Sequence, residues 1–474
     1  MTLEATFNLP FLFRRIPKTN LTITTGYNGA FCLLEEESNI EDLIRNNHER
    51  LPKEKISELE AKSLVSTQSE YALKASLHAS SLATQIYRSL AKPSLFMIVP
   101  TLRCDHDCRY CQVSRAPINA EGKDLSAKNI DNALNLIEST SDEELKIEFQ
   151  GGEPLLNFKF IKEFISKAKV KLKEKNVSYV ICTTLTNLTN EIADFIKDEN
   201  IQISASIDGD ANTHKYNRPS KYYDSYDLLQ DKRRLLSEKN LDSHTSYIAT
   251  VTRPSLGNAQ ELAEFFFSLS IDSIFIRPLT PLGFASSTVR AIGYTADEYM
   301  DFYKQFLKEI IRINIQGTRF VDEMALIHLN RIFRPGSTQY VDMKSPAGLV
   351  LGGLIINYDG KVFGSDESRM LWEMTHSKEL VIGDITLSSD LDFTYLTKTL
   401  KDSFLFALPG CSECAYQPYC GADPIHHLAT QGDPIGNKSE SFFCNFQTLM
   451  YDMIFTMWQN SNDARKVFRS WLKL

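Results

Sequence analysis

The sequence predicts an α/β protein whose centre is an open, partial barrel of six strand–helix repeats. From Pro93 to about residue 317, short apolar segments typical of strands alternate six times with segments of helical periodicity. Repeated strand–helix units form parallel sheets, and six units are fewer than the eight that close a full barrel. One side of the barrel is therefore expected to be open to a substrate or to another domain.

Each predicted strand of this region is followed by one predicted helix. The strands are expected at residues 95–99, 145–149, 178–183, 201–207, 247–251 and 273–276, and the helices at residues 126–139, 158–173, 191–198, 223–239, 258–269 and 296–313.

Two regions of different character flank the barrel. The first combines a hairpin around Tyr27-Asn28-Gly29 with three helical segments, which predicts a small α+β, winged-helix-like module. The last combines a hairpin at residues 351–363, a cysteine-rich loop at 411–444 and an aromatic-rich helix at 446–472. We therefore predict three domains, at residues 1–92, 93–317 and 318–474.

The composition favours a globular protein that does not bind nucleic acid. The chain has 52 basic and 60 acidic residues, so no basic excess is available to neutralise phosphates. We see no signal peptide and no apolar run long enough to span a bilayer, so a cytosolic protein without membrane contact is expected. In that compartment the nine cysteines indicate metal or redox chemistry rather than disulfides.

The strongest signal is a set of three thiols in eight residues, Cys104, Cys108 and Cys111, directly after the first barrel strand. Active sites of parallel barrels lie beyond the carboxyl ends of the strands. Three cysteines can bind three irons of a cubane cluster, whereas electron-transfer clusters use four. The fourth iron would then be open to a ligand. A structural zinc site that includes His106 is the alternative, although the spacing is not that of a zinc ribbon.

The spacing of these cysteines, with the aromatic Tyr110 before the last one, resembles the radical SAM superfamily and its TIM-like partial barrel. The resemblance implies that the open iron of a [4Fe–4S] cluster chelates S-adenosylmethionine. It also implies reductive cleavage of that cofactor to a 5′-deoxyadenosyl radical, which abstracts hydrogen from a substrate. The protein then supplies orientation and shielding.

Further polar residues follow successive predicted strands in the order that the superfamily requires. Gly151, Gly152 and Glu153 resemble the segment that meets the amino group of S-adenosylmethionine. The other residues that resemble cofactor contacts are Thr186, Asn187, Ser204, Ser206, Asp208 and Arg218. Each of them is also compatible with ordinary loop chemistry.

A second set of four cysteines, Cys411, Cys414, Cys420 and Cys444, is sufficient to close one cluster or to bind zinc. This region resembles the SPASM extension of peptide-modifying radical SAM enzymes, which favours iron and sulfur. The full extension carries two auxiliary clusters, but here Ser345 and Ser365 stand at two of its cysteine positions, and Asp423 is near a third. We therefore predict one auxiliary [4Fe–4S] cluster.

Asp366 follows Ser365, where related sulfatase-maturing enzymes carry a carboxylate that accepts a proton from the substrate. It is the predicted catalytic base, with an exposed acid in a turn as the alternative. Cys32 and Cys182 lie in predicted strands and are expected to be small buried hydrophobic residues.

Four segments resemble the radical SAM maturase B of the His-Xaa-Ser system: Phe11-Leu12-Phe13-Arg14-Arg15, Asn357-Tyr358-Asp359-Gly360, Ser365-Asp366-Glu367 and Tyr419-Cys420-Gly421-Ala422-Asp423-Pro424. The resemblance implies a ribosomally made peptide substrate with His-Xaa-Ser repeats, a second radical SAM maturase as partner, and a reductant such as flavodoxin or ferredoxin. The N-terminal module would grip the peptide's leader, since a hairpin edge can accept an added strand. That module could instead merely cap the barrel.

Three alternative functions stay open at this point. One is a radical SAM maturase that acts on a folded protein, such as a sulfatase or an amine dehydrogenase subunit. Another is a non-enzymatic iron–sulfur electron carrier, which three-cysteine ligation disfavours. The last is a zinc-stabilised binding scaffold.

Overall fold

The computed structural model describes residues 5–90, 92–334, 341–388, 390–401 and 403–474. The first region contains five strands and three α-helices: β1 (Thr6–Asn8), β2 (Phe11–Arg15), β3 (Thr22–Gly26), β4 (Phe31–Leu34), α1 (Glu37–Ile44), α2 (Lys53–Ala61), β5 (Val65–Thr67) and α3 (Tyr71–Ser89). Strands β2, β3 and β4 form an antiparallel sheet, and β1 pairs with β5. The hairpin and helical segments expected here are present, and a winged-helix assignment stays a prediction.

The central region alternates strands with helices as predicted. Its elements are β6 (Leu95–Thr101), β7 (Arg103–Cys104), β8 (Ala116–Pro117), α4 (Ile130–Thr140), β9 (Glu144–Gly151), α5 (Phe158–Lys171), β10 (Asn176–Thr183), α6 (Asn190–Asp198), β11 (Gln202–Ser206), α7 (Ala211–Asn217), α8 (Ser225–Glu238), β12 (Thr245–Thr250), α9 (Ala259–Ser268), β13 (Ser273–Arg277), α10 (Ala285–Ile292), α11 (Ala296–Ile315), β14 (Val321–Asp322) and α12 (Glu323–Phe333).

Within its described residues, the last region adds three strands and five α-helices. They are β15 (Gly353–Ile356), β16 (Lys361–Phe363), α13 (Asp366–Thr375), β17 (Val381–Asp384), α14 (Thr394–Lys401), α15 (Pro424–Gln431), α16 (Phe442–Asn460) and α17 (Asn462–Leu472). The single helix predicted at 446–472 is two helices. Ser461 separates them because its hydroxyl accepts from the Ala464 amide and caps α17.

One ten-stranded sheet organises the molecule, in the order β14-β13-β12-β11-β10-β9-β6-β15-β16-β17. The six predicted barrel strands lie side by side and are parallel. The sheet is longer than predicted because β14 joins parallel to β13 at one end and β15 joins parallel to β6 at the other. The open side of the barrel is thus extended by the C-terminal hairpin.

Alternation along the strands decides which side chains enter the barrel. In β9, Leu145, Ile147 and Phe149 are buried in the hydrophobic core, where α4 and α5 pack on the sheet. The intervening Glu148 and Gln150 face the barrel interior, where they line a cavity. The same period along β10 and β11 brings more polar side chains to that interior.

The two terminal regions pack against each other on one side of the barrel. Phe31 of β4 contacts Phe455 of α16, with ring centroids 4.9 Å apart. Arg14 of β2 donates two hydrogen bonds of 2.9 Å to the carboxylate of Asp452 in α16. Among the described helices, none is long and apolar enough to cross a membrane.

Candidate functional site

The loop that carries the first three cysteines is fixed by backbone hydrogen bonds to the opposite side of the barrel mouth. The Asp107 amide donates to the Pro219 carbonyl at 2.7 Å, and the Arg109 amide donates to the Asn217 carbonyl at 2.9 Å. The Cys111 carbonyl accepts from the amide of Ala285, at the start of α10, at 3.2 Å. The loop therefore crosses the carboxyl ends of the strands, which is the position predicted from the sequence.

Cys104, Cys108 and Cys111 line one cavity of about 250 Å³ at this mouth. Seven of the other predicted site residues line the same cavity: Tyr110, Gly151, Gly152, Ser204, Ser206, Arg218 and Asp366. Glu153, Thr186, Asn187 and Asp208 are not among its lining residues and lie in the layer behind it.

Burial determines the protonation of the three thiols. Burial raises the pKa of Cys108 to about 12, and it also raises the pKa values of Cys104 and Cys111. A metal must displace these protons on binding, since thiolates are the ligand form. Three thiols converging on one cavity are a donor set that fits a [4Fe–4S] cluster with one iron open.

The zinc alternative uses a neighbouring group. Cys104, Asp105 and His106 have ligand atoms within 4.8 Å of one another. However, the Asp105 carboxylate already pairs with His106 Nδ1 at 3.0 Å through Oδ1 and accepts from Asn187 at 2.6 Å through Oδ2. These hydrogen bonds engage both oxygens of Asp105 and Nδ1 of His106, and a zinc site at this group stays the alternative to the three-thiol site.

Behind the cysteine loop lies a buried ion pair. Arg218 Nε donates to Asp208 Oδ2 at 3.1 Å, and the Tyr110 hydroxyl donates to the same oxygen at 2.6 Å. The guanidinium lies over the Tyr110 ring and its Nη1 is 4.0 Å from Cys108 Sγ. Asp208 is thus a support for Tyr110 and Arg218, which themselves reach the cavity.

The Gly151-Gly152-Glu153 segment packs tightly on the strand before the cysteine loop. Gly151 has φ +133°, and a Cβ on Gly152 would lie 2.2 Å from the Arg103 carbonyl oxygen, so both positions require glycine. The Glu153 carboxylate is fully buried and accepts from the Thr183 hydroxyl and from both the amide and hydroxyl of Thr184. It joins β9 to β10 beneath the cavity.

Thr186 and Asn187 both donate to Asp105 Oδ2, at 3.0 and 2.6 Å. In this conformation they orient the cysteine loop through Asp105. Their predicted role as cofactor contacts therefore stays a prediction.

Asp366 begins helix α13 and is 9% exposed, so it is neither in a turn nor exposed. Ser365 caps this helix, since its hydroxyl accepts from the Ser368 amide at 3.1 Å. Asp366 Oδ1 accepts from Arg369 Nε at 2.8 Å. The C-terminal region therefore delivers a carboxylate to the cavity that the three cysteines line.

Several cavity residues were not singled out from the sequence. They are Gln112, Val113, Arg115, Glu148, Gln150, Thr183, Thr184, Ile248 and Arg277. Cys182 also lines the cavity and donates to Glu148 Oε1 at 3.1 Å, so it is not simply a small hydrophobic residue; Cys32 is fully buried as expected. The polar, inward positions of β9 and β10 were the signal that could have identified Glu148 and Cys182.

A second, larger cavity of about 850 Å³ extends through the barrel from the amino-terminal ends of β6, β9 and β10. Lys92, Glu144 and Asn176 line its outer part. Glu148 and Asp366 line both cavities. The two cavities therefore adjoin at these two side chains.

The second cysteine set converges in the C-terminal region. Partial burial raises the pKa of the Cys420 thiol most, and Cys414, Cys411 and Cys444 raise it further, so the other three sulfurs lie within electrostatic reach of Cys420. Lys438 lies close enough to lower the pKa of Cys411, which burial raises to about 11. Four thiols with a nearby cation suit a closed cluster or zinc.

The serine positions have their own structural roles. Ser345 Oγ accepts from the Leu405 amide at 3.1 Å, while Ser365 caps α13. Both hydroxyls accept from backbone amides, and the number of auxiliary clusters stays a prediction.

Residues 98–266 match the family model of the Radical SAM superfamily. An uncharacterised protein of Methanocaldococcus jannaschii is 30% identical over 186 residues, which are 38% of this chain and 61% of that protein. The match thus spans less than two thirds of this relative. The cysteine-type anaerobic sulfatase-maturating enzyme of Clostridium novyi is 23% identical over 349 residues, which are 69% of this chain and 87% of the enzyme.

Solved structures share the fold. Native anSMEcpe with bound AdoMet aligns with a TM-score of 0.64 and 14% identity, over 80% of this chain and 100% of that one. Streptococcus suis SuiB bound to its precursor peptide SuiA aligns with a TM-score of 0.54 and 15% identity, over 91% and 98% of the two chains.

Proposed function

We propose, from the premise that residues 98–266 form a radical SAM domain, that this protein modifies side chains of a ribosomally made peptide or small protein. The observation that carries the proposal is the position of Asp366. It comes from the C-terminal region, yet it lines both the cavity of the three cysteines and the wide cavity that opens at the other end of the barrel. A side chain that enters through the wide cavity would meet this carboxylate beside the cysteines.

Cys104, Cys108 and Cys111 would hold the [4Fe–4S] cluster, and the cavity beside them would take S-adenosylmethionine. When bound, this pair supplies a radical that abstracts a hydrogen atom from the substrate. The protein's own residues orient the ligands and exclude water: Arg218 and Tyr110 form one wall, and Gly151-Gly152 lets the backbone approach closely.

Asp366 would act as the base for the substrate. Its Oδ1 is held by Arg369 at 2.8 Å, so the carboxylate has a fixed orientation at the junction of the two cavities. A proton lost from the substrate as a new bond forms would pass to this carboxylate.

The four C-terminal cysteines would hold one auxiliary [4Fe–4S] cluster. This cluster would accept the electron left after bond formation or brace the C-terminal region. Lys438 and Arg14 both lower thiol pKa values in this set, against the larger effect of burial, and would offset part of the charge of four thiolates.

The motifs that resemble the His-Xaa-Ser maturase point to a peptide with His-Xaa-Ser repeats, to a second radical SAM maturase as partner, and to a flavodoxin or ferredoxin as reductant. The related fold of SuiB, solved with a precursor peptide, supports a peptide substrate. The N-terminal module offers an edge, because β2 is one of the two outer strands of its three-stranded sheet and Phe13 in β2 is 48% exposed. An extended leader peptide would add to this edge.

The test is anaerobic turnover of the reconstituted protein with S-adenosylmethionine, a reductant and a peptide that carries His-Xaa-Ser repeats. We expect formation of 5′-deoxyadenosine and methionine, together with a mass change in the peptide. Asp366→Asn should retain 5′-deoxyadenosine formation and lose the peptide product. Glu379→Gln removes an exposed acid of the same region and should behave like the wild type. Peptide modification by Asp366→Asn at the wild-type rate would refute the role of the base.

Maturation of a folded protein is the second candidate, because the sulfatase-maturating relative aligns with 69% of this chain. A sulfatase peptide that contains the target cysteine should be offered in parallel. A product on that peptide, with none on the repeat peptide, would replace the first proposal with the second.

A further inference from the structure

Lys344 is a buried lysine in the wall of the wide cavity, and the proposed mechanism does not use it. The residue is 6% exposed and lines the cavity of about 850 Å³. Among the residues that the structure describes, its ammonium group has no carboxylate or other acceptor as a partner. Burial lowers the pKa of Lys344 and the nearby Arg331 lowers it further, as expected for an ammonium group without an anion beside it.

A buried ammonium group without a partner is costly. Lysine is almost never fully buried unless it is paired, because the ionised group loses its hydration. Such a group is explained when a bound ligand supplies the missing acceptor. The wide cavity, which Lys344 lines, is the space from which a ligand would reach it.

The backbone around Lys344 is held by the cysteine-rich loop of the C-terminal region. The Lys344 amide donates to the Val341 carbonyl at 3.3 Å, and the Lys344 carbonyl accepts from the Ala422 amide at 3.2 Å. Gly421 packs on the same segment, because a Cβ there would lie 2.4 Å from Met343 Cα. Both backbone groups of Lys344 are therefore satisfied, and its side chain is the group left to meet a ligand.

The charges of the wide cavity differ along the route to the cysteines. Asp366 and Glu148 line both the wide cavity and the cysteine cavity, whereas Lys344 lines the wide cavity and not the cysteine cavity. A peptide that extends from the wide cavity to the cysteines would contact Lys344 with one residue and Asp366 with another. An anionic residue would be attracted to Lys344 and repelled by the two carboxylates, which fixes the register of the peptide.

We infer that Lys344 is a specificity-determining residue that binds a carboxylate of the peptide substrate, so that a neighbouring residue of the peptide lies beside Asp366. Carboxylates are the anionic groups of an unmodified peptide, in acidic side chains and at the C-terminus. The volume of the wide cavity is in the range of pockets that enclose small ligands, so it accommodates a short peptide segment. The inference rests on the proposed function, in which the peptide enters through this cavity.

The test is the binding of fluorescein-labelled repeat peptides to anaerobically reconstituted protein, measured by fluorescence anisotropy. Two peptides differ only at the Xaa positions of their His-Xaa-Ser repeats, which are glutamate in one and glutamine in the other. Each is made with a free and with an amidated C-terminus. We expect the wild type to bind the glutamate peptide about tenfold more tightly, or more. A preference for the free C-terminus in place of the glutamate would also support the inference and assign the carboxylate to the chain end.

Lys344→Met should lose this preference and bind all the peptides with the weaker affinity. Lys344→Arg keeps the charge and should retain most of the preference. Lys378→Met removes an exposed lysine of the same region and should match the wild type to within about twofold. The comparison of the peptides on the wild type keeps the inference testable if Lys344→Met does not fold.

Equal affinities of the wild type for all the peptides would overturn this inference alone, because the peptide would still be a ligand. An equal loss of affinity for the glutamate and glutamine peptides in Lys344→Met would also overturn it, since the lysine would then only support the cysteine-rich loop. If the wild type bound none of the peptides, the proposed repeat substrate would fail and the inference would fail with it.

Discussion

Gly152 is a residue at which the backbone before the cysteine loop leaves no room for a side chain. A Cβ there would lie 2.2 Å from the Arg103 carbonyl oxygen and 2.4 Å from that of Leu102, which are backbone atoms just before Cys104. We predict that Gly152→Ala displaces the loop, lowers the free energy of unfolding by about 1–3 kcal/mol and reduces cluster loading. Iron analysis and urea denaturation measure both effects.

Gly257→Ala is the matched control, since nothing lies within 4 Å of a Cβ at that position. It should load iron and unfold like the wild type. Normal iron loading by Gly152→Ala would contradict the tight approach of the two segments.

At the scale of residues, the sequence predicted the groups that line the cavity better than the groups behind it. Cysteine spacing identified Cys104, Cys108 and Cys111 because metal ligation restricts residue type and spacing. Asp208 accepts from Tyr110 and Arg218 and lies behind the cavity, and its role at the cofactor stays a prediction. Which polar residue faces a ligand and which supports it depends on side-chain packing between strands, and linear order does not contain that information.

The junction of β14 and α12 contains a carboxylate with an unusual environment. Asp322 caps α12 through Oδ1, which accepts from the Ala325 amide and the Tyr303 hydroxyl, while Oδ2 has no partner in the described part of the structure. Burial raises the pKa of Asp322 to about 7 from its ordinary value of 3.8. The neutral form is therefore favoured in the folded state.

Because the pKa of Asp322 is higher in the folded protein than in the unfolded chain, the free energy of unfolding depends on pH. The unfolded chain loses the proton near pH 3.8 and the folded chain near pH 7, so stability falls as pH rises between these values. We predict that Asp322→Asn, which is neutral at every pH, gains about 2 to 3 kcal/mol relative to the wild type between pH 5 and pH 8. Asparagine also serves as a helix cap.

Urea denaturation of both proteins at pH 5 and pH 8 measures this difference. Asp322→Ala removes the cap and should be less stable than Asp322→Asn at both pH values. A difference between the asparagine variant and the wild type that does not change with pH would show that Asp322 is ionised in the fold throughout.

At the scale of elements, long segments with a regular period were predictable from the sequence. Very short strands, and a helix start that is fixed by a capping side chain, were not. The six barrel strands and their helices were found because periods of two and about four residues persist over whole elements. β14 has only two residues and no such pattern. Ser365 caps helix α13 with its side chain, whereas the sequence indicated this serine only as a substitute for a cysteine.

The N-terminal and C-terminal regions are joined by one charged contact that spans most of the chain. Arg14 binds Asp452 through two hydrogen bonds, and Asp452 also accepts from the Tyr416 hydroxyl. Arg14→Ala would leave a mostly buried carboxylate without its cation. We predict a loss of about 1–3 kcal/mol in the free energy of unfolding, measured by urea denaturation.

Arg15→Ala is the matched control for this contact. Arg15 pairs with Glu37, and both side chains are more than half exposed, so its loss should change stability by less than about 0.5 kcal/mol. Equal effects of the two substitutions would show that the Arg14 contact does not hold the regions together.

At the scale of the whole molecule, the alternation of strands and helices predicted the central barrel, but not how the ends of the chain complete it. The sheet continues into β15, β16 and β17, so the C-terminal region is part of the same sheet as the barrel. The pairing of β15 with β6 joins residues about 250 positions apart in the sequence. Local sequence patterns contain no information about a pairing between segments so far apart in the chain. The same pairing brings Asp366 to the cysteines.

The central claim is that Cys104, Cys108 and Cys111 hold a cluster separate from that of the C-terminal cysteines. The most direct measurement is iron and sulfide content, with EPR, of anaerobically reconstituted wild type beside Cys104→Ala/Cys108→Ala/Cys111→Ala. We predict about eight irons in the wild type and about four in the variant. A fall from about four to none would retain the first cluster and remove the auxiliary one. Equal iron content in the two proteins would contradict the claim.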